Sequence, residues 1–288
     1  MALRIDLDPY RAVRRRFRLR DHDPASLPER VTAEEAQQTL DANILRLREL
    51  QERLYAGHRW SLLLILQGMD TAGKDSAIKR VFSGINPQGC LVHSFKSPSD
   101  EELDHDYLWR TTLRLPRRGH IGVFNRSYYE EVLAVRVNPD LLAAQRLPPA
   151  VVSRDIWRNR FEDLVSHERH LARSGVVVRK IFLHISKKEQ RQRLLKRLDD
   201  PAKHWKFSPR DLDQRQRWPQ YVRAYDQMIR ETTSAEAPWF VVPADRKWWT
   251  RAIVSAIVLD ALEGLDLAFP EVTAEQRRDM VRIRQTLR

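Results

Sequence analysis

One segment constrains this chain more than any other: Gly68-Met69-Asp70-Thr71-Ala72-Gly73-Lys74-Asp75. It matches G-x-x-x-x-G-K, a loop that needs a strand before it and a helix after it. Both are legible. Trp60–Gln67 is an apolar run short enough for a buried strand. From Gly73 to Ser83, the residues Ala77, Ile78, Val81 and Phe82 share one helical face, and Gly84 stops it. Glycines let the backbone curl so that successive N–H groups face inward, while the helix N-terminus adds partial positive charge. The chain holds only nine glycines, so two at this spacing point to phosphate binding by Gly68, Ala72, Gly73, Lys74, Asp75 and Ser76.

The remaining pattern alternates strand and helix. Cys90–Phe95, Ile121–Phe124, Val176–Ile185 and Trp239–Val242 read as further strands. Ser99–Leu115, Val151–Ser174, Lys187–Leu198 and about 247–268 read as helices. Such an order predicts a three-layer α/β fold, a parallel sheet with helices on both faces. Thr32 and Glu35 fit a capping box, and Leu40, Ile44, Leu47, Leu50 and Leu54 mark an amphipathic helix ending before Gly57. We therefore expect a basic N-terminal arm at 1–30, an amphipathic helix at 31–56, a core at 57–270 and a C-terminal tail at 271–288.

Lys and Arg outnumber Asp and Glu by 51 to 39, a net charge of +12 that calls for an anionic partner. Residues 179–217 hold thirteen Lys/Arg against five Asp/Glu, and a smaller cluster runs from Arg11 to Arg20. Trp205, Phe207 and Trp218 lie nearby, but no zinc-finger or RNP signature accompanies them, so nucleic acid is not the expected partner. No apolar run approaches a membrane span, and Asp6 and Asp8 replace a signal peptide's apolar region. Cys90 is the single cysteine, which suits a reducing compartment; a soluble cytoplasmic protein is expected.

Two departures from the common loop carry information. Asp75 stands where Ser or Thr usually offers a hydroxyl, either as a catalytic group or as an ordinary first-turn acid. Asp70 puts a carboxylate inside an anion cradle; about 5 Å from one phosphate charge it would cost about 3 kcal/mol at an effective dielectric near 20. A divalent cation between them removes that cost, which makes Asp70 the candidate metal ligand; a turn-capping Asp is the alternative. At the end of the third strand, Asn125 takes the place of the usual metal-positioning acid, and Arg126 is suited to a bidentate grip on phosphate. Glu130 either replaces the missing acid or is a helix-start acid, and Arg136 is a weaker candidate for the same cleft.

After the fourth strand, residues 187–218 have the position and charge of a mobile lid. Lys187 and Arg191, and Arg193 and Arg197, are spaced four apart, and Lys206 and Arg210 follow the break at Asp199-Asp200-Pro201. Closing Arg191, Arg193, Arg197 and Lys206 over a phosphate would exclude water and stabilise developing charge; a solvated basic face is the alternative for each.

These residues resemble the polyphosphate kinase 2 family, P-loop phosphotransferases related in fold to thymidylate kinase. The similarity rests on GMDTAGKDSAIKRVF at 68–82, INPQG at 85–89, DYLWR at 106–110, FNRSYYEEVLAVRV at 124–137, HISKKEQRQRLLKRLDDPAKHWKF at 184–207 and APWFVVPADRKWW at 237–249. It spans about residues 30–270. The resemblance implies a P-loop kinase fold with a helical lid and transfer of the terminal phosphate of inorganic polyphosphate to adenine nucleotides (AMP, ADP, giving ADP or ATP), with Mg²⁺ or Mn²⁺ as cofactor. It also implies that Lys74 and Asp70 are the loop lysine and metal-binding aspartate, and that Arg126 contacts the chain. Asn125 with Tyr128 and Glu130 is similar to the branch that accepts both AMP and ADP, whereas Asp at position 125 looks like the diphosphate branch. The competing reading is an ATP-dependent nucleoside or nucleotide kinase; a non-enzymatic polyanion-binding module would leave Asp70 and Lys74 without purpose. A zinc hydrolase is set aside because His167-Glu168-Arg169-His170 lacks the H-E-x-x-H spacing. The helix at 33–55 and the terminal helix offer surfaces for a homo-oligomer.

Overall fold

Ser61–Gly68 (β1) occupies the middle of a five-stranded sheet because its Leu62, Leu63, Leu64, Ile65 and Leu66 must be buried on both faces; all five are fully inaccessible. The computed structural model describes residues 2–206 and 210–288, the side chains of Lys206, Arg210 and Asp211 excepted. Cys90–Ser94 (β2), Ile121–Asn125 (β3), Val176–His184 (β4) and Trp239–Pro243 (β5) join β1 in the order β2-β3-β1-β4-β5, and every pairing is parallel. Leu66 is opposite Asn125 and Gly68 opposite Leu183, so the carboxyl ends of β1, β3 and β4 meet at one rim.

The helices are Ala33–Gly57 (α1), Lys74–Val81 (α2), Asp100–Asp104 (α3), Trp109–Thr112 (α4), Ala134–Val137 (α5), Pro139–Ala143 (α6), Ile156–Arg173 (α7), Lys187–Leu198 (α8), Arg210–Gln216 (α9), Trp218–Thr232 (α10), Lys247–Glu263 (α11) and Ala274–Thr286 (α12). α11 packs against α1, α2 and strands β1, β4 and β5, while α7 packs against β4 and α10. The expected three-layer α/β fold is what forms. The capping box of α1 is present, with Thr32 Oγ1 accepting from Glu35 N at 3.2 Å and Glu35 accepting from Thr32 N at 2.9 Å.

Local chemistry moves several boundaries. The helix expected over 99–115 breaks in two, because Asp106 accepts from Leu108 N at 2.9 Å and His105 stacks on Trp109 with centroids 3.9 Å apart. The helix expected from Val151 starts at Ile156, after a turn in which Ser153 Oγ accepts from Asp155 N. α11 stops at Glu263, before Gly264, and not near Ala268. α10 was not foreseen, although Tyr221, Ala224, Tyr225, Met228 and Ile229 are spaced as one buried helical face. The tail folds as α12, opened by a Thr273–Gln276 capping box.

The N-terminal arm packs on the body. Tyr10, Ala12, Phe17 and Leu19 are buried, and Arg11 bridges Phe240 in antiparallel fashion. Ala12 N donates to Trp239 O at 2.9 Å, Leu19 N to Asp226 Oδ1 at 2.7 Å and Asp245 N to Pro24 O at 3.1 Å. The arm thereby covers the β5 edge, which would otherwise offer unpaired backbone groups.

Candidate active site

The loop after β1 is shaped by two glycines. Gly73 has φ 111°, which strains any side chain, and a Cβ on Gly68 would lie 2.9 Å from Leu183 O and displace its neighbour. Lys74 is buried, and its Nζ donates to Gly68 O at 2.6 Å and Met69 O at 3.3 Å. Burial, and next the positive charge of Arg126, push its pKa down to about 8, against the opposing pull of Asp70, Glu130 and Asp75.

Arg126 stands at the end of β3 with φ 65°, a left-handed conformation that a non-glycine residue holds only under local constraint. Its N–H donates to Leu66 O at 3.0 Å, and its guanidinium joins Asp70 on one side and Glu130 on the other, the latter at 3.2 Å. Glu130 and then Asp70 raise the guanidinium pKa further, so it is always charged. The Gln67 amide, oriented to satisfy both its ends, donates to Glu130 at 3.0 Å and accepts from Ser127 N at 3.2 Å. Asn125 Nδ2 donates to Asp75 Oδ1 at 2.8 Å. Asp70, Lys74, Asp75, Asn125, Arg126 and Glu130 thus lie together at this rim. Three carboxylates against two cations leave the cluster short of positive charge.

The other candidates separate. Ser76 Oγ accepts from Arg251 at 2.7 Å, on the α11 side of α2. Arg136 donates to Gln227 at 2.7 Å and lies over Trp157 and Phe161, with its guanidinium carbon 5.7 and 5.8 Å from the ring centroids, so it does not join Arg126. Arg191 is on the exposed face of α8, and Arg197 is half-exposed on the same helix. The side chain of Lys206 is outside the described residues. Arg193 is buried with all five N–H donors engaged: Nε on Glu189 at 2.8 Å, Nη1 on Thr71 O and Ala72 O at 3.0 Å, and Nη2 on Ala244 O at 2.6 Å and Asp245 O at 3.1 Å. Its geometry corrects the expectation of a phosphate-facing lid cation, because no donor remains for a ligand; it clamps the loop to the β5–α11 turn instead.

Sequence reasoning missed four supporting groups. Gln214 Oε1 accepts from Asp70 N at 2.7 Å, and Gln190 donates to Asp70 O at 3.3 Å. Beneath the β3 rim, Lys180 Nζ donates to Glu168 Oε2 at 2.6 Å and to Tyr129 Oη at 2.9 Å, while Tyr128 and Tyr129 hydroxyls both donate to Glu168 Oε1. A lysine inside the apolar strand 176–185 was the visible signal for the last pair. Beside Asn125, a cavity of about 370 Å³ is lined by His93, Phe95, Lys96, Arg110 and Arg114, with Arg110 paired to Glu102 at 3.0 Å.

A parallel sheet in this order, a phosphate loop at its central strand and a charged cluster on the neighbouring strand end define a P-loop phosphotransferase. Comparison with known proteins narrows that class. The model of the family "Polyphosphate kinase 2 (PPK2)" matches residues 30–270. An "ADP-polyphosphate phosphotransferase" of Rhodopseudomonas palustris is 50% identical over 249 residues, 86% of each chain. An "AMP/ADP-polyphosphate phosphotransferase" of Meiothermus ruber is 46% identical over 226 residues, covering 78% of this chain and 80% of that one. The crystal structure of polyphosphate kinase 2 from Arthrobacter aurescens TC1 superposes with a TM-score of 0.87 at 38% identity, covering 98% of this chain and all of that one. The chain belongs to the polyphosphate kinase 2 family.

Proposed function

We propose that this enzyme moves the terminal phosphate of inorganic polyphosphate onto AMP and ADP, and that the reaction runs in both directions. The observation that carries this reading is a buried loop lysine, Lys74, whose charge is felt by Arg126 and Asp70, with Arg126 and Asp70 paired to each other at the rim of β1 and β3. A phosphate oxygen of the acceptor attacks the terminal phosphorus of the chain; the new P–O bond forms as the bridging P–O bond breaks, and the shortened chain leaves with the bond electrons. No protein nucleophile takes part. Lys74 and the loop N–H groups hold the transferring group, Arg126 bridges its oxygens once released from Asp70, and α8, fastened to the loop by Arg193, keeps that loop in shape.

The carboxylate excess fits a divalent cation. Among the described residues no three His, Cys, Asp or Glu side chains gather into a cage. Mg²⁺ does not need one, since it is commonly held by one or two carboxylates, water and substrate phosphates. Asp70 would hold it, with Asn125 orienting a bound water, and the ion would supply charge neutralisation of the phosphates.

The acceptor is assigned to the cavity beside Asn125, whose His93 ring offers stacking and whose Lys96 and Arg114 offer phosphate contacts. Asn125 in place of Asp, with Tyr128 and Glu130, supports acceptance of both AMP and ADP. No helix is long and apolar enough to cross a membrane among the described residues, and a cytoplasmic homo-oligomer is our working description. Comparing donors tests the reading: polyphosphate should support nucleotide phosphorylation under conditions where ATP with a nucleoside does not. The opposite preference would replace it with an ATP-dependent kinase.

A further inference from the structure

Below the rim of β1 and β3 the core holds a charge pair that the transfer reaction does not use. Lys180 is fully buried in β4, level in the sheet with Ile65 of β1 and Phe124 of β3, two residues short of Arg126. Glu168 of α7 is buried with it. The Lys180 ammonium spends each of its protons: on Glu168 Oε2 at 2.6 Å, Tyr129 Oη at 2.9 Å and Thr232 O at 2.7 Å. The other carboxylate oxygen, Oε1, accepts from Tyr128 Oη at 3.0 Å and Tyr129 Oη at 2.7 Å. Burial, and next the charge of Glu168, raise both phenol pKa values well above their ordinary value, so both hydroxyls stay protonated and donate.

An ionic network is a costly way to fill a core. Replacing a buried ion pair by apolar residues of similar volume is often neutral or stabilising, because two desolvation costs disappear with it. What a saturated network does supply is a single geometry, since each bond fixes a distance and a direction. Here that geometry belongs to the turn after β3. Tyr128 and Tyr129 lie between Arg126 and Glu130, which pair at 3.2 Å. From this one turn the two tyrosines run down to Glu168, while Arg126 reaches across the rim to Asp70. Arg126 is held at φ 65°, a conformation its surroundings must enforce. On the sheet side Leu66 O holds its N–H at 3.0 Å, and within the turn Ser127 Oγ accepts from Tyr129 N at 3.1 Å. The two hydroxyls anchor the same turn from the core side.

Resting on the role given above to Arg126, we infer that Glu168 and Lys180, acting through the hydroxyls of Tyr128 and Tyr129, are positioning residues for the Arg126 guanidinium. They set the height and rotation of the turn, and so where that guanidinium meets the transferring phosphate. Misplacement of such a group by about 1 Å can cost on the order of 10²-fold in rate.

A double-mutant cycle tests this. Tyr128→Phe, Tyr129→Phe removes both hydroxyls and keeps both rings. At a temperature where melting curves show the protein fully folded, it should lower kcat with polyphosphate about tenfold and change KM by less than about twofold. In an Arg126→Ala background the same two changes should lower kcat by less than about twofold, because no guanidinium is left to misplace. Tyr128→Phe alone leaves Tyr129 bonded to Lys180 and Glu168; it should show the same dependence on Arg126 with a smaller loss, and it serves if the double variant does not fold. Equal losses in the two backgrounds, or a kcat that removal of the hydroxyls leaves unchanged, would overturn the positioning role. A wild-type enzyme that transfers no phosphate from polyphosphate would instead overturn the reading of the reaction on which it rests.

Discussion

Asn125 Nδ2 donates to Asp75 Oδ1 at 2.8 Å, tying the end of β3 to the first turn of α2. An amide can hold that carboxylate; a second carboxylate at the same place would repel it unless one of the two is protonated or a cation lies between them. Asn125→Asp should therefore raise the metal concentration needed for half-maximal rate and lower the rate with AMP relative to ADP by about tenfold, an effect of about 1.4 kcal/mol. Initial rates with the two acceptors across a metal titration check this, and an unchanged AMP/ADP ratio would refute the role given to Asn125.

Lys74 sets an alkaline limit. Its pKa is held down to about 8 by burial, so its charge is present below that pH and is lost as pH rises through it. The kcat/KM for polyphosphate should fall above about pH 8, while the limb in kcat should lie at higher pH, because a bound phosphate favours the charged lysine. Lys74→Met should lower kcat by about 10²–10³-fold, as expected for loss of one preorganised charge at the transferring group. A kcat/KM profile that stays flat well above pH 8 would contradict this.

Arg193 acts on the loop and not on the phosphate. Arg193→Lys keeps the charge but cannot reach five acceptors, so it should destabilise the fold by about 2–4 kcal/mol and lower kcat. Because no phosphate contact is lost, the salt dependence of polyphosphate binding should stay at its wild-type slope. Denaturant melts and a salt series of KM separate these effects.

The buried pair of Lys180 and Glu168 lies under the turn that carries Arg126 and Glu130, through the hydroxyls of Tyr128 and Tyr129. Removing one charge leaves the other buried without a counter-charge, so Lys180→Met should cost about 3–5 kcal/mol of stability. Tyr128→Phe removes only one of the three donors to Glu168 and should cost about 1 kcal/mol. Equilibrium unfolding of the two variants, compared in the same denaturant series, should show that order.

Much of this site was readable in the chain because short-range rules write it. Gly68, Gly73 and Lys74 declare a loop whose geometry is local; the strand before it follows from an unbroken apolar run and the helix after it from a period of 3.6. The cluster of Asn125, Arg126 and Glu130 was also visible, since a strand end in a parallel sheet is a place where ligands gather. Arg193 was misjudged for the opposite reason. Its α8 neighbours are exposed cations, and only the fold reveals that this one turns inward to carbonyls from two distant loops. The arm at 1–30 was read by its arginines, whereas Tyr10, Phe17 and Leu19, spaced without a period, are what dock it. Long-range contacts of that kind leave no local pattern.

The central claim is the transfer of phosphate from polyphosphate to adenine nucleotides at the rim of β1 and β3. Its most direct test is the product pattern of purified protein with Mg²⁺ and long-chain polyphosphate, given AMP or ADP alone and resolved by chromatography. ADP and ATP should appear from AMP, and ATP from ADP, with both lost in Asp70→Ala. Absence of any nucleotide product with polyphosphate, alongside turnover of a nucleoside with ATP, would contradict it.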